Sequence, residues 1–219
     1  MTSERQALSR SPRVGPPARR VPVAVPAGGT RAEQLLDRLE AIFLGEGFRR
    51  LTIGELATRL RCSRRSLYEL AATKSDLFVL ILDRVLARIE ATGRLAAAAT
   101  ESFEDRVAVF IEPGIAELRG ASPAFFADIA SLPAARDRLA AHQDARKVQL
   151  EKIVADGVRA RAFRKVHPGV AARAMVAAYR AVTEARFLAG VDVSLTEAIR
   201  EVEDLFLHGL LHPKDREGG

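Results

Sequence analysis

From residue 31 onward, the apolar residues of this 219-residue chain recur three and four positions apart, and no stretch shows the alternation of a half-buried strand. An α-helix turns once in about 3.6 residues, so this spacing gathers apolar side chains into one stripe per helix. The folded part must therefore be built by packing helices on helices, an all-α fold. "RAEQLLDRLEAIFLGEGF" carries Leu35, Leu36, Leu39, Ile42 and Phe43 on one face, and Gly47 ends it by tolerating a left-handed cap. "LTIGELATRL" opens on Thr52 with Glu55 three residues later, a capping-box pattern, and turns Ile53, Leu56, Ala57 and Leu60 inward. "TKSDLFVLILDRVLARIE" opens on Thr73 with Asp76 in its first turn, and its face runs through Leu77, Leu80, Ile81, Val85 and Ile89. Further helices are expected near 103–118, 123–131, 134–161, 168–190 and 195–211, with Pro113, Pro123, Pro133 and Pro168 marking starts or kinks.

Residues 1–30 do not share this pattern. Five prolines, three glycines and five arginines stand among few large apolar side chains, so the segment reads as a disordered basic arm. It is either an untethered terminus or an arm that follows phosphates. Charge is lopsided along the chain. Residues 1–30 hold five arginines against one glutamate, residues 31–90 hold eleven basic against nine acidic residues, and residues 91–219 hold eighteen of each. The excess of +6 therefore lies wholly in the first 90 residues, where it suits a polyanionic partner.

Other classes are disfavoured. No apolar run reaches the length of a membrane span, and the first residues lack the apolar segment of a secretory signal. The single cysteine, Cys62, cannot form an internal disulfide, which fits a cytoplasmic location. Cys62 and the four histidines show no zinc-ligand spacing, so neither a metal nor a cofactor is expected. No nucleophile elbow, phosphate-binding glycine loop or paired histidine–carboxylate motif is visible, so an enzyme is not expected.

The informative stretch is "RCSRRSLYEL", residues 61–70. "IGELATRL", a tight connection at Arg61-Cys62, and "SRRSLYEL" together read as a helix-turn-helix. The second helix is too short to stand alone; Ser63 can cap it and Leu67 can dock it. With Leu67 pointing inward at zero, Arg65 falls at about 160° and Glu69 at about −160°, while Arg64 and Tyr68 fall at about 60° and 100° on one flank. Ser66 and Leu70 fall at about −100° and −60° on the other. Such a face suits a DNA major groove, where arginine can grip guanine with two hydrogen bonds and Arg64 and Tyr68 can meet phosphates. The competing reading is a solvated basic face with an Arg65–Glu69 pair four residues apart. Lys74 follows the cap of the next helix, where the helix dipole disfavours a cation, so a bound phosphate would explain it. Cys62 is either a small filler in the turn or a thiol activated by Arg61 and Arg64.

At this point the sequence resembles a known family. "LTIGELATRLRCSRRSLYELAATKSDLFVLIL" is similar to the DNA-binding segment of tetracycline-repressor (TetR) family transcription regulators. The matching features are Thr52, Ala57, Ser63, the Leu67-Tyr68 pair, and Lys74 followed by Asp76-Leu77-Phe78. The resemblance covers residues 31–82. It implies a three-helix helix-turn-helix head over 31–76, joined by a fourth helix to a larger helical ligand-binding and dimerisation domain over 77–219. It implies a homodimer on an inverted-repeat operator, released by a small-molecule ligand. Three positions depart from the pattern: Arg61 stands where glycine is usual, Glu69 where histidine is frequent, and "LAA" at 70–72 replaces an aromatic pair and proline. The implied DNA-contacting residues are Thr52, Ser63, Arg64, Arg65, Ser66, Tyr68, Glu69 and Lys74.

For the larger domain, Phe103, Phe110, Phe125, Phe126, His142, Met175 and Tyr179 are candidate pocket residues, since small ligands need apolar walls with a few polar groups. The same residues would serve equally as core. Residues 168–211 offer two adjacent helices with wide apolar faces, one bearing Val170, Ala174, Ala178, Ala181 and Ala185, the other Leu195, Ile199, Val202, Phe206 and Leu210. They form either a dimer seam or part of one monomer's core. A helical interaction protein whose basic head binds anionic membrane or an acidic partner, and a sequence-indifferent DNA binder, are the alternatives to a regulator.

Overall fold

The computed structural model describes residues 30–182, Gly190 and residues 193–210. The arm expected over 1–30 therefore lies, Thr30 apart, outside the described residues. The described elements are all helices: α1 (Arg31–Glu46), α2 (Ile53–Leu60), α3 (Arg64–Leu70), α4 (Lys74–Ala99), α5 (Phe103–Leu118), α6 (Pro123–Ser131), α7 (Pro133–Arg159), α8 (Pro168–Val182) and α9 (Leu195–Leu210). The helical periodicity is met in each, and no strand occurs among the described residues.

Local chemistry starts these helices where the sequence suggests. Thr52 and Thr73 each close a capping box with Glu55 and Asp76, and Thr30, expected as the last residue of the arm, instead closes a third with Glu33 at the start of α1. Ser63 caps α3 through the Ser66 amide at 3.0 Å. Arg61 ends α2 in the left-handed region at φ 53, ψ 45, the conformation that explains the usual glycine there. The connection bonds back through the Cys62 amide to the Ala57 carbonyl at 3.0 Å.

Packing divides into two cores joined by α4. The first gathers Leu39 and Phe43 of α1, Leu56 of α2, Leu67 of α3 and Leu77, Phe78 and Ile81 of α4, and continues onto Phe125 and Ile129 of α6. The boundary expected at 76/77 thus falls inside α4, within a continuous core. Phe78 is its hub: fully buried, it stacks on Phe48 with ring centres 4.5 Å apart and meets Phe43 at 5.8 Å and Phe125 at 5.6 Å. The second core assembles Val107, Phe110 and Ile115 of α5, Leu150 and Val154 of α7, Met175 of α8, and Ile199 and Leu210 of α9. At 26 residues, α4 is about 39 Å long, enough to contribute to both cores.

Polar ties reinforce the junction. Arg88 of α4 binds Glu40 of α1 at 2.5 Å and Glu117 of α5 at 2.6 Å, and Arg84 pairs with Asp37 and Glu40. The flanking carboxylates hold the Arg88 guanidinium firmly protonated, Glu117 most strongly. On the other side, the buried Asp128 carboxylate of α6 accepts hydrogen bonds from the Phe48 amide at 2.5 Å and the Arg49 amide at 3.2 Å. The Ser122 amide before α6 donates to the Leu44 carbonyl of α1 at 2.8 Å. Gly47, at φ 72, is needed twice here: for its backbone conformation, and because a Cβ would stand 2.5 Å from the Asp128 carboxylate.

Helices α4 and α5 approach closely at Gly93. A Cβ there would lie 2.7 Å from the Phe110 backbone carbonyl. On an open helix Gly→Ala gains about 1 kcal/mol. Gly93→Ala should instead destabilise the protein by about 1–3 kcal/mol, because the obstacle is backbone that can move only by separating the two helices. Thermal unfolding should show a melting point lower by roughly 2–4 °C per kcal/mol; an unchanged or higher melting point would show that the helices separate freely.

Candidate nucleic-acid interface and ligand cavity

The short basic helix is held by packing. Leu67 is fully buried, whereas Arg64, Arg65, Tyr68 and Glu69 are exposed. The Arg65 side chain is 89% exposed and donates from Nε to Glu69 of its own helix at 3.0 Å. Arg65 and Glu69 therefore face straight out, as the helical phasing requires. Arg64 turns instead toward α2, where its Nη2 would lie 2.9 Å from a Cβ at Gly54. Ser63 and Ser66 bond each other at 2.9 Å, and the Thr52 hydroxyl is engaged with Glu55 at 2.8 Å, so these hydroxyls already have partners at the caps.

Lys74 has an explanation that the sequence did not suggest. Its ammonium donates to the Leu51 carbonyl at 2.7 Å and the Arg49 carbonyl at 3.1 Å, and lies 5.3 Å from the centre of the Phe48 ring. These carbonyl oxygens offset the unfavourable helix-dipole position from within the fold. The bonds bring the 49–51 loop, with exposed Arg49 and Arg50, to the start of α4. Neither arginine figured among the candidates; two adjacent arginines beside a glycine-ended helix were the available signal. Cys62 is half-buried, and burial pushes its thiol up, with Arg38 and Arg31 opposing more weakly. The activation expected from Arg61 and Arg64 is not the balance found, and the filler reading stands.

A cavity of about 630 Å³ lies between α4, α5, α6, α7 and α8, and its walls are mainly apolar. Phe125, Phe126, His142 and Tyr179 line it. Phe103, Phe110 and Met175 do not. Phe103 meets Phe163 at 6.4 Å and carries the Arg106 guanidinium on its face, Met175 is buried in the second core, and Phe110 lies one layer back under Arg146. Helical spacing shows which face of a helix turns inward, but not whether that face meets a void or another helix.

Arg146 is the wall residue that sequence reading missed. It sits on α7 among so many charged residues that nothing marks it as inward. Its guanidinium lies 4.2 Å from the Phe110 ring centre, and Nη2 donates to the Phe110 carbonyl at 3.0 Å. Pro113, which has no amide proton to give the Val109 carbonyl, interrupts the α5 ladder beside this point. Burial pushes the Arg146 pKa down, while Glu90 and then Tyr179 pull it up. Burial also drives the Tyr179 phenol well above its ordinary range, so it stays a hydroxyl. His142 is pushed down to about 4, by burial first and then by Arg146, and is neutral at pH 7.

The core reading holds for α9, while one face of α8 stays exposed. On α9, Ile199 and Leu210 are buried and Leu195, Val202 and Phe206 pack against the second core, so that face is spent within the monomer. On α8, Val170, Ala174 and Ala181 remain exposed, Ala178 is half-buried, and Leu205 of α9 is 72% exposed. Ala185 falls outside the described residues. Among the described residues, no helix is long and apolar enough to cross a membrane.

No protein-family model and no curated protein matches the sequence. Solved structures do match. The TetR-family regulator PfmR of Thermus thermophilus aligns with a TM-score of 0.59 at 23% identity, covering 81% of this chain and 99% of that one. A TetR regulator from Haloarcula marismortui aligns at 0.67 and 16% identity, covering 83% and 98%. A protein from Saccharomonospora viridis, solved in complex with choline, aligns at 0.68 and 14% identity, covering 83% and 97%. At such identities the likeness is one of fold, and the chain has the helical fold of TetR-family regulators.

The depressed His142 pKa has a thermodynamic consequence. Below pH 6.5 the unfolded chain takes up a proton that the folded cavity resists until about pH 4. His142 should therefore contribute nothing above pH 6.5 and destabilise the fold progressively as pH falls from 6.5 toward 4. Denaturant titrations across that range should show His142→Gln losing less stability than the unmodified chain; parallel curves would mean that the imidazole is solvated.

Proposed function

We propose that this chain is a dimeric DNA-binding transcription regulator, a repressor released from an inverted-repeat operator by a small-molecule ligand. The observation that carries the reading is the double duty of α6. Phe125, Phe126 and Ile129 form one wall of the cavity, while Asp128 of the same helix holds the Phe48 and Arg49 amides of the head. A ligand that fits the cavity better in one position of α6 biases the head through bonds already made, which is the differential interaction that release requires. Residues 31–76 serve as the DNA-binding head and 77–219 as the ligand-binding and dimerisation part. The choline complex of the S. viridis protein supports a ligand-holding role for this fold. A cytoplasmic location follows from the need to reach chromosomal DNA.

Within the head, α3 is the element offered to the major groove. Arg65 reads a base edge, with Glu69 either orienting it or accepting from cytosine. Arg64 and Tyr68 meet phosphates, together with Arg49 and Arg50 beside the start of α4. Lys74 acts chiefly by holding that basic loop in place. The exposed stripe of Val170, Ala174 and Ala181 with Leu205 is the seam between two copies.

Selection of bound sequences from a random duplex pool tests DNA binding, specificity and symmetry together. The expected product is an inverted repeat with half-sites about one helical turn, or a multiple, apart. Sedimentation should give a dimer at micromolar concentration that Ala174→Glu weakens. Salt-dependent binding without a preferred site would favour an architectural DNA binder, and retention on anionic vesicles but not on duplex would favour a membrane-directed head.

The two arginines of α3 separate by direction. Arg65→Ala should cost about 1–3 kcal/mol on the selected site and relax preference at one position per half-site. Arg64→Ala should weaken all duplexes alike and flatten the slope of log affinity against log salt by up to about 0.9. A panel of single-base variants checks both; the reverse assignment of effects would place the wrong face of α3 in the groove.

A further inference from the structure

Building on the ligand-responsive reading, we infer that the cavity is a receptor for an amphipathic carboxylate, its carboxylate held by Arg146 and Tyr179 and its apolar body lying along α4 and α5. Two buried polar atoms, on side chains that line the cavity, carry this inference. The Arg146 Nη1 and the Tyr179 hydroxyl are each withdrawn from solvent, and neither has a hydrogen-bond partner. Buried polar groups are normally satisfied, so two orphaned donors just behind a cavity wall are available to a ligand once a small rotation turns either side chain toward it. Both offer protons: the guanidinium can only donate, and the phenol stays protonated in this setting. Two unused donors on side chains that line one cavity suit a group with two acceptor oxygens.

Charge points the same way. Among the described residues no carboxylate lies within 4.0 Å of the Arg146 guanidinium. The wall contains Arg136, Arg146 and Arg180 against Asp137 alone, and His142 adds no charge at pH 7. Glu90 acts on Arg146 electrostatically and has an unpartnered Oε2 of its own, but it does not line the cavity. An entering anion therefore meets the guanidinium, with Glu90 near Arg146 and Glu203 near Tyr179 as partial counter-charges. One inward arginine suits a monoanion rather than a phosphate dianion. Arg146 is also pre-set: the Phe110 carbonyl holds Nη2 and the Phe110 ring lies against the guanidinium, leaving Nη1 for the ligand. The remaining wall, with Leu82, Leu86, Ile89, Ile111 and Ile115, accepts an alkyl or aryl body, and about 630 Å³ is ample for one of moderate size.

The test is calorimetric binding of decanoate, decanol and decyltrimethylammonium to the full-length protein without DNA, each below its micellar concentration. Decanoate should bind at least about tenfold tighter than decanol, as a charge-assisted bond to an arginine implies, and the cation weakest. Arg146→Met should bring decanoate and decanol to within about threefold of each other by removing that bond while preserving decanol binding. Arg146→Lys, which keeps the charge without the fork, and Tyr179→Phe should each lose part of the preference, and they decide the matter if Arg146→Met does not fold. Equal binding of decanoate and decanol, no decanoate binding, or an Arg146→Met variant with its preference intact would overturn the assignment. Operator affinity is then measured with and without decanoate. Decanoate that binds through Arg146 but leaves operator affinity unchanged upholds the site and counts against ligand-driven release. Operator binding that persists in a protein blind to decanoate overturns the carboxylate site and leaves the regulator standing.

Discussion

The first core, which ties the DNA-binding-type helices to the cavity wall, is centred on the burial of one aromatic ring. Phe78 lies one turn into α4 and touches Phe43 from α1, Phe48 from the following loop, and Phe125 from α6. Three elements distant in sequence are thus positioned against a single side chain whose removal from water favours the assembled state. Because the ring is fully buried, none of the three can shift without opening a void or moving the others. The head is therefore not a bead on a linker: its core is continuous with the helix that walls the cavity.

Around that ring, polar groups supply direction where apolar contact cannot. Arg84 and Arg88 bind carboxylates from α1 and α5, fixing the rotation of α4 between them. Asp128 does the equivalent for α6, and as a buried carboxylate held by two backbone amides it is costly to dislodge. The contrast with Arg146 is instructive. Arg88 and Asp128 are satisfied within the fold, whereas Arg146 and Tyr179, like Arg84 at its Nε, each leave a buried donor unused.

The surface of the head shows how similar residue types acquire different tasks. Lys74 looks like an anion ligand from its place at a helix start, yet its ammonium is spent on two carbonyls of the preceding loop. Arg65 looks equally basic and remains almost wholly exposed, tied only to Glu69. The difference lies in what stands opposite each side chain, which sequence position does not encode.

The sequence by itself determined the class of fold, the starts of the head helices and the outward direction of Arg65. These depend on local rules: apolar spacing at the helical period, hydroxyl caps at Thr52, Ser63 and Thr73, and about 100° per residue around an axis anchored by Leu67. Tertiary structure alone decided that Phe125, Phe126, His142 and Tyr179 face a void while Phe103, Phe110 and Met175 fill the core, that Asp128 reaches back 80 residues to Phe48, and that Arg146 turns inward from a highly charged helix. Each of these depends on which helix lies opposite and how near it comes, as at Gly93 against Phe110. Helical periodicity is a property of one segment, whereas a cavity is a mismatch among several, and its shape exists only once they have packed.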